Sequence, residues 1–276
     1  MGYTAATAVT PRADGSGTYD AQVVAGWDIG GNANGGYLLA IAGRAMADVA
    51  GRPDPVTITA HYLSPGKVGP LEVHTELVKA GKRFTTVRAT MTDAAAKPII
   101  TVLGTFSDLD PEKADDWPSL VQSAPPDLPP VEECQRMMRA PVDEDPALRP
   151  PDFVSSIQMH IHPDDAGFAT GRKSGEMRVR GWFDLRDGEP IGTIGLLTAV
   201  DAFPPTIFNT DIPVAWVPTV ELTAHIRSRP KPGWLRCAFT TRFVTGGFIE
   251  EDGEVWDETG TLVAQSRQLA LLPRAG

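Results

Sequence analysis

One half of this chain repeats the other. Thr59-Ala60-His61 recurs as Thr223-Ala224-His225, an offset of 164 residues. At that offset Ser64, Lys67, Gly69 and Leu71 fall on Ser228, Lys231, Gly233 and Leu235, giving seven identities in thirteen ungapped positions. Further on, Phe84 meets Phe248 and Asp93 meets Asp257. The bland alternative is coincidence between two strand-turn-strand segments. Solenoid repeats run at ~20–50 residues, so a period this long points instead to a duplicated domain.

Each copy predicts one helix and four long strands. In the first, Gly35–Ala50 is an apolar, Ala-rich run of helical length, with Asn34 placed to cap it and Gly51 to stop it. Strand-like runs follow at Val56–Leu63, Leu71–Lys79, Phe84–Thr92 and Ile99–Ser107, punctuated by Pro65-Gly66, Gly81 and Lys97-Pro98. In the second, strands at Ser155–His162 and Glu176–Leu185 precede a helix over about Pro190–Phe203, which Pro204-Pro205 closes. Runs at Val217–Ile226, Leu235–Val244, Phe248–Trp256 and Leu262–Leu272 complete it. The class is α+β: a curved antiparallel sheet wrapping a central helix, twice, joined edge to edge. Domains are expected over residues 1–110 and 152–276. Between them, residues 111–151 hold ten prolines in 41 positions, too many for a central strand or long helix. That stretch reads as a linker with a short helix near Pro130–Arg139.

Several function classes are disfavoured. A formal charge of −10 argues against nucleic acid, whose binding needs a basic face. No apolar run approaches the ~20 residues of a membrane span, and the first twenty residues do not read as a signal peptide. Cys134 and Cys237 lie far apart in unlike contexts, which suggests free thiols in a cytoplasmic protein. His160 and His162 share a strand face without an evident third metal ligand. Repeat-equivalent His61 and His225 are expected to share a packing role. Neither Ser64 nor Ser228 sits in a nucleophile elbow.

The pattern resembles the double-hotdog acyl-CoA thioesterases, the TesB-like (acyl-CoA thioesterase II) family, over roughly Gly26–Pro273. The first marker is Gly30-Gly31-Asn32-Ala33-Asn34-Gly35-Gly36, where the family carries a paired glycine at the helix start. That family's second hotdog supplies a helix Asp, a strand Thr or Ser and a last-strand Gln, which hold the attacking water. By resemblance these are Asp201 in Leu196–Asp201, Thr219 in Pro218–Glu221 and Gln268 in Leu262–Gln268. The His that often follows the family's Thr is here Leu222. The resemblance implies a fatty acyl-CoA substrate, with coenzyme A as part of it and no metal or redox cofactor. It also implies an acyl tunnel beside the helices and a chain able to associate as a homo-oligomer.

The residues themselves bear on this. Asp201 shares a helix face with Leu197 and Ile194, and it lies near a helix C-terminus. Desolvation and the macrodipole should both raise its pKa and make it a better base, unless it only caps the turn before Pro204. Thr219 and Gln268 would need partners if buried, or they lie on solvated strand faces. At offset 164 their counterparts are Pro55 and Gly104. Matching Tyr37-Leu38-Leu39 to Gly195-Leu196-Leu197 sets Gly43 opposite Asp201, so functional side chains occur in one copy only. The expected substrate-binding set is Asn34, Gly35, Gly36, Lys82 and Arg83. Gly36 would offer its amide to the thioester carbonyl, and the Lys82-Arg83 turn would meet coenzyme A phosphates, with Arg172-Lys173 as a rival cluster. A non-catalytic acyl-CoA or lipid-binding protein is the alternative. A hydratase would need an Asp/His pair that neither Asp201 nor Gly36 has nearby.

Overall fold

A computed structural model describes residues 1–110, 118–138, 151–212 and 217–272. Chain order begins with α1 (Tyr3–Ala6), β1 (Val9–Pro11), β2 (Thr18–Val23), β3 (Asp28–Ile29), β4 (Asn32–Ala33) and α2 (Gly35–Ala50). The first copy continues with β5 (Asp54–Tyr62), β6 (Gly69–Ala80), β7 (Thr85–Asp93) and β8 (Pro98–Ser107). The second holds β9 (Gln135–Arg136), β10 (Ile157–Ile161), β11 (Arg178–Leu185), α3 (Thr193–Ala199) and β12 (Thr219–Ile226). It ends with β13 (Leu235–Thr240), β14 (Val244–Thr245), β15 (Phe248–Trp256) and β16 (Leu262–Leu271).

The predicted duplication is built into the geometry. One antiparallel sheet runs β1-β2-β6-β7-β8-β5-β12-β16-β15-β13-β11-β10-β9, so the copies join where β5 pairs with β12. Thr59 stands directly opposite its own repeat mate Thr223, and their hydroxyls lie 2.8 Å apart. Two like strands can pair so only across a two-fold axis. Asp93 Oδ1 accepts from the Ala95 and Lys97 amides, and Asp257 Oδ1 from the repeat-equivalent Thr259 and Thr261 amides. Gly69 and Gly233 share positive φ, +142° and +133°. This is the double hotdog expected from sequence. Asp54 ties the halves together, accepting from Thr193 Oγ1 at 2.8 Å and pairing with Arg229 at 2.7 Å.

Helix α2 forms as predicted: the Asn34 side chain accepts from the Tyr37 amide, and Gly51 ends it in the left-handed region at φ +59°. It packs on β5–β8. Helix α3 is shorter than the expected run, because Gly192 begins it and 3₁₀-type bonds from Asp201 to Thr198 and from Ala202 to Ala199 tighten its end. The expected linker is in part sheet. Residues 131–133 form a 3₁₀ turn where a short helix was expected, β9 pairs with β10, and Trp182 Nε1 donates to the Pro129 carbonyl. Residues 111–117 and 139–150 of that linker lie outside the described residues. The polar N-terminus is structured too, with Tyr3, Tyr19 and Val23 buried.

Cys134 and Cys237 are buried and unbridged. His61 and His225 do not pack inside; both are exposed on the outer face. His160 Nδ1 faces the Val131 carbonyl. Among the described residues no group of three or more metal-ligating side chains forms, and no helix is long and apolar enough to cross a membrane.

Candidate active site

Two helices meet where one ends and the other begins, and glycine sets how closely. A Cβ on Gly36 would sit 2.6 Å from the Leu197 carbonyl oxygen and 2.9 Å from Asp201 Cβ. Only a bare α-carbon allows that approach. The paired glycine therefore lets the C-terminal end of α3 press against the first turn of α2.

Asp201 is delivered to this junction. Its Oδ2 accepts from the Gly36 amide at 2.7 Å and from Asn34 Nδ2 at 3.2 Å, while Asn34 Nδ2 also donates to the Asp201 carbonyl at 2.8 Å. The Gly36 amide, expected to face a thioester carbonyl, is thus engaged by the acid. Asn34 likewise caps α2 and holds Asp201. Loss of solvent around the carboxyl outweighs these donors and raises its pKa to about 6. Desolvation acts as anticipated, but the predicted dipole effect is opposed: Asp201 follows α3 yet faces the N-terminus of α2, which favours its charged form. The Asn34 and Gly36 hydrogen bonds both fall on Oδ2, which leaves Oδ1 as the atom able to take a proton.

Thr219 and Gln268 come together. Gln268 Nε2 donates to Thr219 Oγ1 at 2.6 Å, and Thr219 opens β12, where a register shift follows it. Neither makes a direct hydrogen bond with Asp201. Beside them stands Glu251, missed in the sequence. It stands opposite Gln268 across β15 and β16, and its carboxyl accepts from the Thr206 amide at 2.9 Å. Burial first, and the nearby Asp201 charge in addition, push Glu251 to about 7. Tyr62 was missed as well: its ring closes on Gly35, and its hydroxyl oxygen is buried without a partner among the described residues.

The two-fold axis supplies an internal comparison. Gly36 against Asp201 has its symmetry mate in Ile194 against Gly43, whose added Cβ would lie 3.3 Å from Ile194 Cδ1. Glu251 opposite Gln268 repeats as Val87 opposite Gly104, and a Cβ on Gly104 would meet Met46 Cε at 3.0 Å. Tyr62 corresponds to buried Ile226. One end of the molecule is polar at every such position; the other is filled with hydrocarbon.

Other expected residues lie elsewhere. Arg52, just past the α2 C-terminus, donates to the Gly81 and Lys82 carbonyls, and Arg83 stacks on Phe84. Helix α2 has 16 residues, about 24 Å at 1.5 Å per residue, and the Lys82-Arg83 turn is held at the opposite end of it from Gly36. The rival Arg172-Lys173 precedes Gly175, which donates to the carbonyl of Asn209, and Asn209 ends the turn whose Thr206 binds Glu251. The helix side chains expected to line an acyl tunnel are closed core, Leu38, Leu39, Ile41, Leu196 and Leu197 being at most 2% exposed.

Comparison with known proteins agrees in both halves. Residues 23–107 match the acyl-CoA thioesterase N-terminal domain, and residues 131–272 match the C-terminal domain. A solved structure from Thermobifida fusca, described as a candidate thioesterase II, is 31% identical and covers 99% of each chain with a TM-score of 0.87. The acyl-CoA thioesterase II TesB2 of Mycobacterium marinum, 16% identical with 98% and 97% covered and a TM-score of 0.67, shares the fold. An uncharacterized protein of Mycobacterium tuberculosis is 27% identical over 98% of both chains.

Proposed function

With this chain a member of the acyl-CoA thioesterase family, and so a thioester hydrolase, we propose that it hydrolyses a fatty acyl-CoA at the Asp201 centre, releasing free acid and coenzyme A. The observation that carries this reading is the desolvated Asp201 carboxyl clamped by the Gly36 amide, at the polar end of an otherwise symmetric molecule. Ionised above about pH 6, Asp201 takes a proton from water through Oδ1 while Oδ2 stays fixed. Thr219, already accepting from Gln268, directs its own proton to the water oxygen. The new C–O bond forms at the thioester carbonyl, the C–S bond breaks, and the departing thiolate recovers the proton from Asp201. Nothing in this sequence of steps requires a metal or redox cofactor. Arg172 and Lys173, exposed beside the Thr206–Asn209 turn, suit the coenzyme A phosphates. Two unbridged thiols fit a cytoplasmic location.

A panel of acyl-CoAs of graded chain length with a free-thiol reporter tests the reading. A hydrolase releases thiol with turnover; a protein that only binds acyl-CoA gives a binding isotherm and no thiol.

A further inference from the structure

Tyr62 closes β5 where the two halves join. Its hydroxyl oxygen is buried and has no hydrogen-bond partner among the described residues, a net cost to the free protein. The ring carbon bearing that hydroxyl lies 3.0 Å, and Asp201 Oδ2 lies 2.8 Å, from the single point where a side chain on Gly35 would begin. The phenol ring and the carboxylate therefore both crowd Gly35, and the hydroxyl does not bond to the carboxylate. Burial, with the Asp201 and Glu221 charges adding, holds the phenol well above its ordinary pKa, so it keeps its proton and remains a donor. At the opposite, apolar end of the molecule the equivalent residue is Ile226, which has no donor to give.

The thioester reaction needs one more component. As water adds, the carbonyl oxygen becomes an oxyanion and needs a donor, and the Gly36 amide is already bonded to Asp201. Resting on the thioesterase reading above, we propose that Tyr62 is a catalytic residue whose hydroxyl hydrogen-bonds the thioester carbonyl oxygen of the substrate. No proton is transferred in this contact. The water oxygen bonds to carbon, the C=O electron pair moves onto oxygen against the Tyr62 O–H, and it returns as the C–S bond breaks to give acid and thiolate.

The experiment compares wild type, Tyr62→Phe and Asp201→Asn in the full chain by thiol release from acyl-CoA and by thermal unfolding. It adds binding of an S-alkyl coenzyme A thioether, which has no carbonyl. Removing one oxyanion donor lowers kcat by about 10²-fold, so Tyr62→Phe is expected to lose that much. KM and thioether affinity should stay within a few-fold, and Tm should be unchanged or higher, because an unpartnered buried hydroxyl has gone. A Tyr62→Phe kcat within twofold of wild type, alongside an inactive Asp201→Asn, overturns the assignment of Tyr62 alone. So does a Tyr62→Phe protein that loses Tm and thioether binding together with activity, since the hydroxyl would then serve the fold. A wild type that binds acyl-CoA yet releases no thiol overturns the thioesterase reading itself.

Discussion

Asp201 and Glu251 are two acids held near one another with little solvent. Asp201 is compensated by the Gly36 amide; Glu251 has the Thr206 amide and an adverse neighbour in Asp201. A carboxyl whose folded pKa is raised contributes stability that is fully present below its unfolded value and is lost as pH rises through the folded one. For Glu251 that window runs from 4.5 to about 7. Glu251→Gln keeps an acceptor for Thr206 and cannot ionise. Its stability relative to wild type should therefore grow between pH 4.5 and 8, reaching about 1–3 kcal/mol in urea titrations. A difference that does not change with pH would remove Glu251 from this account. Asp201, Thr219 and Gln268 were legible because residue type and order resemble a known pattern. Glu251 and Tyr62 were not, since each lies in an unremarkable strand. The repeat held the signal: at offset 164 they oppose Val87 and Ile226, and a polar residue facing a buried apolar mate marks a broken symmetry.

At the scale of elements, glycine decides the site. Gly36→Ala drives a methyl group onto the Leu197 carbonyl and Asp201 Cβ. Overpacking of this kind costs about 1–3 kcal/mol, and the shift should also withdraw Asp201 from the α2 amides. Unfolding midpoint and thiol release should both fall; a variant as stable and active as wild type would mean α2 and α3 are not in the contact described. Helix α2 and the long strands were readable from period and punctuation. The ends of α3 were not, because Gly192 and the tightened last turn shorten it inside an apolar run that looked continuous. The strands β1, β2 and β9 escaped notice for another reason. They are short strands at or next to the sheet's two ends, in polar or Pro-rich sequence, and sheet pairing with distant residues fixes them.

Among the described residues one long sheet spans both copies over a shared core. The β5–β12 pairing and the contacts of buried Asp54 with Thr193 and Arg229 bind the halves. Calorimetric unfolding should show a single transition with calorimetric and van 't Hoff enthalpies equal; two resolved transitions would mean the copies are independent. Duplication lets the two ends of a two-fold molecule diverge. The apolar end keeps the fold packed, and the polar end tolerates buried acids and an unpartnered hydroxyl for chemistry. That asymmetry rests on Asp201 as the base, and a direct test is thiol release from one acyl-CoA by wild type and Asp201→Asn, with binding of each measured on the same preparations. Asp201→Asn is expected to bind within a few-fold of wild type and to turn over at least about 10²-fold more slowly. An Asp201→Asn protein that hydrolyses at the wild-type rate would contradict it.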